Sequence, residues 1–432
     1  MVSRALFKSS GTTLMMTIVI AALGFLSSVI TARILGPEGR GLLSGALLIA
    51  MLSANASLFG LANSFIYHKG AGRPFDYRGF MILSLLFVAV FSVLLAWLGM
   101  GITGEAQLHD QIGLILLMTG VSAGQGYFYG LSQLHDRLRF FNLMRFLLIA
   151  GNLLLLLLLV LTLDEVHFKD ILIAQIVVSG LLTVLGIFWA KKHEVWNGVA
   201  PGGEPATWRS VLGYGASHHG TVLLSLLLVN FDKIALLSIG TIVEYGFYAL
   251  AFTTSRLIGA VQEAVSTALY SRFAGRNVDE LSHHVRGAFR LTFVPMLILA
   301  AIGAALSPWL IVWVYGESFA STTIPFAILL FECVITGASW TLAQRFNAGG
   351  RPGLVFVRQL ISVLPVFLAL PFLPRQDIHI YLSALMLVGA ALRLIVTLGL
   401  YPLALKERIP KMLPTSSDCV AAFRLFTRRC YE

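Results

Sequence analysis

Apolar residues run along this chain in blocks repeatedly longer than 18 residues, separated by short polar turns. A run of that length crosses roughly 30 Å of hydrocarbon as a helix. The blocks predict about twelve spanning helices, near residues 10–35, 41–67, 79–101, 111–133, 143–163, 170–190, 211–238, 245–271, 287–315, 322–344, 354–374 and 379–402. The longest polar stretch, about 191–210, contains Lys191, Lys192, Gly198, Pro201, Gly202, Gly203 and Pro205, the composition of a linker. It follows the sixth block and divides the chain into a bundle at 1–190, a linker at 191–210, a bundle at 211–402 and a tail at 403–432. The expected fold is all-α: a polytopic membrane protein with two six-helix bundles around a central cavity.

Composition narrows the class further. Of 432 residues, 57% are apolar and 12% charged, and the mean hydropathy is +0.83. A soluble domain carries about 25% charged residues, and no single soluble core buries this much apolar surface. Soluble enzymes, disordered chains and disulfide scaffolds are therefore excluded. Cys333, Cys419 and Cys430 form neither a disulfide framework nor a metal spacing, so neither a metal nor a cofactor is expected. Arg4 and Lys8 imitate the basic start of a signal peptide, but the apolar stretch passes 20 residues and ends in Ala32-Arg33-Ile34-Leu35-Gly36-Pro37. A cleaved segment is shorter and ends at small residues. No hydrophilic segment is large enough for a catalytic domain, and the chain is not expected to be an enzyme.

The net charge of +10 suggests nucleic acid only until the charges are placed. With the N-terminus inside, 24 of the 31 Lys and Arg residues fall in cytoplasmic segments; the opposite loops hold three (Arg40, Lys169, Arg375), and the spans hold four (Arg33, Lys233, Arg256, Arg393). This is the positive-inside asymmetry. Both termini are expected in the cytoplasm, and no nucleic-acid partner is expected.

Motifs outside the spans return little. Gly99-Met100-Gly101-Ile102-Thr103-Gly104 fits a dinucleotide fingerprint, yet it closes an apolar span and has no strand before it. No phosphate-cradling nucleotide loop occurs, so ATP is not expected as the direct energy source. His218 and His219 are adjacent and do not share a helix face as an i,i+4 metal pair does. Gly120, Gly124, Gly126 and Gly130 have the spacing that lets helices approach closely. The two halves also share a weak likeness: Arg33 precedes a turn with Gly36, Gly39 and Gly41, and Lys233 precedes Gly240 and Gly246. Paired halves of this kind build the central site of many transporters.

Polar residues inside the spans carry the functional expectation, because Arg, Lys or Asp at mid-membrane costs at least about 2.5–3.5 kcal/mol. Asp232 and Lys233 lie in the seventh span beside Asn230, Arg256 and Glu263 in the eighth, Glu332 in the tenth and Arg393 in the twelfth. Arg33 lies near the outer end of the first, where it either lines the cavity or snorkels outward. Arg256 and Glu263 are seven residues apart, on roughly one face. Asp232 and Lys233 are separated by about 100° of helical rotation. Lys233 is thus expected to face the cavity, and Asp232 a cation on a neighbouring helix such as Arg256, either fixing packing or coupling an ion. Four cations against three acids leave one excess positive charge. Guanidinium groups suit phosphate, to which their planar fork donates two parallel hydrogen bonds. The residues alone imply a secondary transporter of something anionic.

Three segments carry a family resemblance. Ala32-Arg33-Ile34-Leu35-Gly36-Pro37-Glu38-Gly39 resembles the turn after the first helix of Wzx-type polysaccharide flippases, within the multidrug/oligosaccharidyl-lipid/polysaccharide exporter superfamily. Asn230-Phe231-Asp232-Lys233, then Gly240 and Glu244-Tyr245-Gly246-Phe247-Tyr248-Ala249-Leu250-Ala251, resembles that family's seventh-to-eighth helix signature. Tyr315-Gly316-Glu317-Ser318-Phe319 is similar to its turn after the ninth helix. Arg40 departs from the family, which usually has an aromatic residue there.

The resemblance implies a flippase that moves undecaprenyl-diphosphate-linked oligosaccharide repeat units to the outer leaflet of a bacterial cytoplasmic membrane by alternating access. Arg33, Lys233, Arg256 and Arg393 are the expected substrate-binding residues, and Asp232, Glu263 and Glu332 the candidate ion-coupling residues. Expected partners are the lipid-linked oligosaccharide, membrane lipid, and polysaccharide polymerase and export proteins. The alternatives are a multidrug exporter of the same superfamily, whose site should be net acidic, and a membrane-embedded glycosyltransferase or polymerase. The second should show a large outer loop with carboxylates, whereas these loops span only about 5–12 residues.

Overall fold

The computed structural model describes residues 2–134, 139–197, 204–273 and 278–413. The middle of the expected linker, the side chain of His218, and the tail beyond residue 413 with Cys419 and Cys430 lie outside the described residues. Among the described residues there is no strand. The chain forms two compact units, Met1–Gly246 and Phe247–Glu432.

The first unit holds α1 (Val2–Ser57), α2 (Leu61–Gly70), α3 (Tyr77–Gly99), α4 (Ala106–Asp110), α5 (Ile112–Leu131), α6 (Arg139–Thr162), α7 (Phe168–Lys192), α8 (Trp208–Ile239) and the start of α9 (Ile242–Phe273). The rest of α9, α10 (Val278–Tyr315), α11 (Thr323–Asn347), α12 (Pro352–Ala369) and α13 (Ile378–Leu400) form the second. By packing, the division falls one helix beyond the linker, because α8 packs on α2 and α1.

Among the described residues, ten helical segments are long and apolar enough to cross a membrane. One of them, Val19–Gly70, contains two predicted spans joined through a kink. The polar residues of α9 depress its hydropathy, but its 32 residues reach about 48 Å at 1.5 Å each. Each of the twelve predicted spans thus has a helix, and the chain is a multi-pass membrane protein. Large apolar side chains such as Val90, Leu161, Phe188, Trp313 and Phe372 are exposed, as a lipid-facing surface requires.

Local chemistry explains the breaks. Pro37 has no N–H and disfavours a helical conformation at the residue before it. Gly36 turns the chain there at φ 65°, ψ −176°, a conformation glycine adopts at little cost. The predicted span 41–67 is not one helix: it breaks at residues 58–60, where Phe59 has φ 45°. Hydropathy hides this break because Leu58, Phe59 and Leu61 are all apolar. Between α8 and α9, Thr241 and Glu244 cap each other: the Thr241 N–H donates to Glu244 Oε2 at 3.0 Å, and the Glu244 N–H to Thr241 Oγ1 at 3.2 Å.

The two glycine turns singled out in the sequence meet within the first unit. A Cβ on Gly41 would lie 2.0 Å from the Ile242 carbonyl oxygen, and one on Gly246 would lie 2.1 Å from that of Pro37. Backbone touches backbone here, which only glycine permits. Elsewhere in this unit an aromatic core forms, with Phe140 stacked on Trp189 at 4.6 Å and Phe65 edge-on to Tyr77 at 5.1 Å. In the second unit α11 is central, packing on α10, α12 and α13.

Candidate functional site

Glu332 sits on α11, 3% exposed. It accepts hydrogen bonds from the Arg256 guanidinium on α9 and, at 2.8 Å, from Thr336 Oγ1. The Arg256 guanidinium also lies over the Phe252 ring, 4.1 Å from its centre. Arg393, on α13, is within coulombic reach of both Glu332 and Arg256.

Arg358, on α12, completes the group. It is 2% exposed, and its Nη1 donates to the Ser339 carbonyl at 3.1 Å, to Ser339 Oγ at 2.6 Å and to Thr397 Oγ1 at 3.1 Å. Arg393 is its coulombic neighbour, and the Trp340 ring centre is 5.6 Å from its guanidinium carbon. Four helices therefore carry a chain of neighbouring charges, from Glu332 through Arg256 and Arg393 to Arg358, with three guanidiniums to one carboxylate and a formal excess of two positive charges. The Nε–H of Arg256, Arg358 and Arg393 each lack a hydrogen-bond partner among the described residues. Such buried donors are costly unless something accepts from them.

A polar seam continues along α9 and α11. Gln262 Nε2 donates to the Val334 carbonyl at 3.2 Å, and Ser266 Oγ lies 3.0 Å from Thr341 Oγ1. Between helices in a bilayer such bonds contribute about 0.6 kcal/mol on average, enough to set register without locking it. Glu263 lies on the same helix but is exposed, and Glu332 rather than Glu263 is the carboxylate that engages Arg256.

A second charged group closes the end of this unit. Glu407 Oε1 accepts from Arg345 Nη2 at 2.7 Å and from Ser282 Oγ at 3.0 Å, while its other oxygen accepts from Arg286. Burial alone raises the pKa of Glu407, but the Arg345 bonds outweigh it, aided by Ser282 and Arg286. The carboxyl is held below its ordinary value.

In the first unit, Asp232 is fully buried, and its Oδ1 lies 3.4 Å from Lys233 Nζ. The two side chains, expected to address different partners, touch each other here. The long lysine side chain curls back, donating also to the Val229 carbonyl at 3.2 Å, and so spans the 100° between them. Tyr245 is within coulombic reach of Asp232 and of Arg40. Arg40 donates through Nη2 to Ser28 Oγ at 3.2 Å, a polar use of a position where an aromatic residue was expected. Arg33 is exposed on α1, a turn before the kink.

Of the predicted site residues, Arg256, Glu332 and Arg393 thus come together, as do Asp232 and Lys233. Arg358 was missed: the charge count assigned it to the loop before the eleventh span, although it falls four residues inside that span. Arg345 was likewise counted with the loop, yet it is 6% exposed.

Known proteins resemble this chain as follows. The profile of a family described as "Polysaccharide biosynthesis protein" matches residues 6–276. No curated protein matches the sequence. Among solved structures, the lipid II flippase MurJ in an inward closed conformation aligns with TM-score 0.67 at 12% identity, covering 89% of this chain and 87% of that one. An inward-facing multidrug resistance MATE family transporter of the MOP superfamily aligns with TM-score 0.61 at 14% identity, covering 88% and 92%. A MOP superfamily transporter from Pyrococcus furiosus aligns with TM-score 0.57 at 14% identity, covering 92% and 95%. At these identities the likeness establishes the fold.

Proposed function

The chain belongs to the polysaccharide biosynthesis protein family, and from that premise we propose that it is a flippase for undecaprenyl-diphosphate-linked oligosaccharide repeat units in a bacterial cytoplasmic membrane. The observation that carries the reading is the arginine cluster of the second unit. Arg256, Arg358 and Arg393 outnumber Glu332 three to one, and each keeps a buried N–H without a partner among the described residues. A diphosphate supplies both the negative charge and the acceptor oxygens. The low dielectric around the site strengthens that attraction.

In this reading the chain works as two six-helix halves, 1–190 and 211–402, linked by 191–210, with both termini cytoplasmic. Rocking of the halves exposes a shielded path for glycan and diphosphate, while the lipid tail stays in the bilayer. Arg33, Lys233, Arg256 and Arg393 bind the substrate, now with Arg358. Asp232, Glu263 and Glu332 are the candidates for proton coupling. No bond of the substrate is made or broken, and polymerase and export proteins receive the product. An exporter of organic cations requires a net acidic site, the opposite of this cluster.

The test is transport in reconstituted vesicles of undecaprenyl diphosphate bearing a short saccharide. Arg358→Gln and Arg393→Gln should abolish flipping when equal amounts of folded protein are reconstituted. Normal flipping by both variants overturns the reading.

A further inference from the structure

A cavity of about 450 Å³ opens between α9 and α11, lined by Ser266, Thr267, Tyr270, Trp340, Gln344 and Asn347. Its volume lies within the range of small-molecule sites, roughly 300–1,000 Å³. No lining residue carries a charge, so the cavity is not built for an ion. Tyr270, Trp340 and Thr267 are exposed and Asn347 is half-buried, whereas the buried Ser266 and Gln344 already bond to Thr341 Oγ1 and to the Trp340 carbonyl. A groove built only for lipid tails would not border its rings with the Thr267 hydroxyl and the Asn347 amide, because unsatisfied polar groups are costly in hydrocarbon. Flat apolar rings bordered by short hydrogen-bonding side chains match a pyranose, which has an apolar C–H face and a rim of hydroxyls.

The cavity is continuous in position with the arginine cluster. Glu332, Thr336, Trp340, Gln344 and Asn347 follow one another on one face of α11, so the charged cluster and the neutral cavity occupy successive turns of the same stripe. Trp340 belongs to both: it lines the cavity, and its ring centre is 5.6 Å from the Arg358 guanidinium carbon. A ligand with its polyhydroxyl end in the uncharged cavity therefore shares Trp340 with the guanidinium group that a phosphate end would address.

We propose that this cavity is the subsite for the sugar attached directly to the diphosphate of the lipid-linked substrate, with Trp340 as the wall that selects for its presence. The proposal rests on the flippase reading and adds the residues that read the glycan. Trp340 and Gln344 act on affinity for the saccharide, and the arginines on affinity for the diphosphate.

The experiment compares two probes on the full-length protein in nanodiscs: undecaprenyl diphosphate, and the same lipid bearing one N-acetylglucosamine. Trp340→Leu and Gln344→Met should each weaken binding of the sugar-bearing lipid by about tenfold, the scale of one lost aromatic or hydrogen-bonded contact. Gln344→Met should leave binding of the bare lipid within about twofold of wild type, and Trp340→Leu should lose more affinity for the sugar-bearing lipid than for the bare one. Trp340→Phe keeps a ring in place and should recover most of the loss, which separates stacking from folding. Equal weakening toward both lipids, or no change toward either, overturns the subsite while leaving the flippase reading intact. Failure of the wild-type protein to bind either lipid overturns both.

Discussion

Replacing Glu332 by Gln tests the charge balance of the arginine cluster directly. The amide keeps the shape and still accepts the Thr336 hydroxyl, 2.8 Å away, but it removes the carboxylate that faces Arg256. Removing one partner of a buried pair costs about 3–5 kcal/mol, and an isolated cation at mid-membrane costs about 2.5–3.5 kcal/mol. The Arg256 guanidinium keeps its place over the Phe252 ring, 4.1 Å from its centre, which offsets part of the loss and points to the low end, about 3 kcal/mol. Arg256→Gln takes from Glu332, whose side chain is only 4% exposed, its hydrogen-bonded cation and leaves it Arg393 and Thr336, and should cost a comparable amount. The double variant restores a neutral, hydrogen-bonded pair, so the two losses should not add. Their coupling should reach about 2–3 kcal/mol, the upper part of the range for residues in contact. Unfolding of the four proteins in mixed micelles, followed by tryptophan fluorescence, measures the cycle. If Glu332→Gln is within about 0.5 kcal/mol of wild type, or the single losses simply add, Glu332 is not holding the cluster together.

Three further outcomes are expected. Because the pKa of Glu407 is held down in the folded protein, its contribution is present at neutral pH and is lost as pH falls through the folded value. The stability gap between wild type and Glu407→Gln should therefore be open at pH 7 and closed in acid, and a gap independent of pH would refute the assignment. Gly41→Val should destabilise severely or prevent accumulation, since even a Cβ would lie 2.0 Å from the Ile242 oxygen; a variant as stable as wild type would show that the turns do not touch. Reporter fusions at Gly202 and Cys430 should read as cytoplasmic, and periplasmic activity at either would overturn the inferred orientation.

Much of the fold was legible because the signal is large: an apolar block long enough to cross a bilayer is visible whatever surrounds it. Arg256, Glu332 and Arg393 were legible for the same reason, each being a charge in the middle of such a block. Arg358 was not, because it lies close to a helix start, where a cation reads equally well as a loop residue obeying the positive-inside rule. The Glu407 group was invisible for a different reason: its partners Arg286 and Arg345 are 121 and 62 residues away, and pairing over such distances leaves no local pattern. The glycine turns were noticed as a repeat, but nothing in a repeat says that its two copies touch. The contact of Asp232 with Lys233 was not legible because backbone rotation was counted and the reach of the lysine side chain was not.

The hydrogen bonds of Arg358 also have a mechanical meaning. Its Nη1 ties α12 to Ser339 on α11 and Thr397 on α13, and Ser339 Oγ is itself 3.0 Å from Thr397 Oγ1. Prising α12 from the other two would leave a buried guanidinium without these acceptors, at a cost of several kcal/mol. The triplet therefore travels as a single block. Flexing within the second unit falls to helices outside the triplet, among them α10, whose interior prolines, Pro295 and Pro308, withhold backbone donors that stiffen a helix.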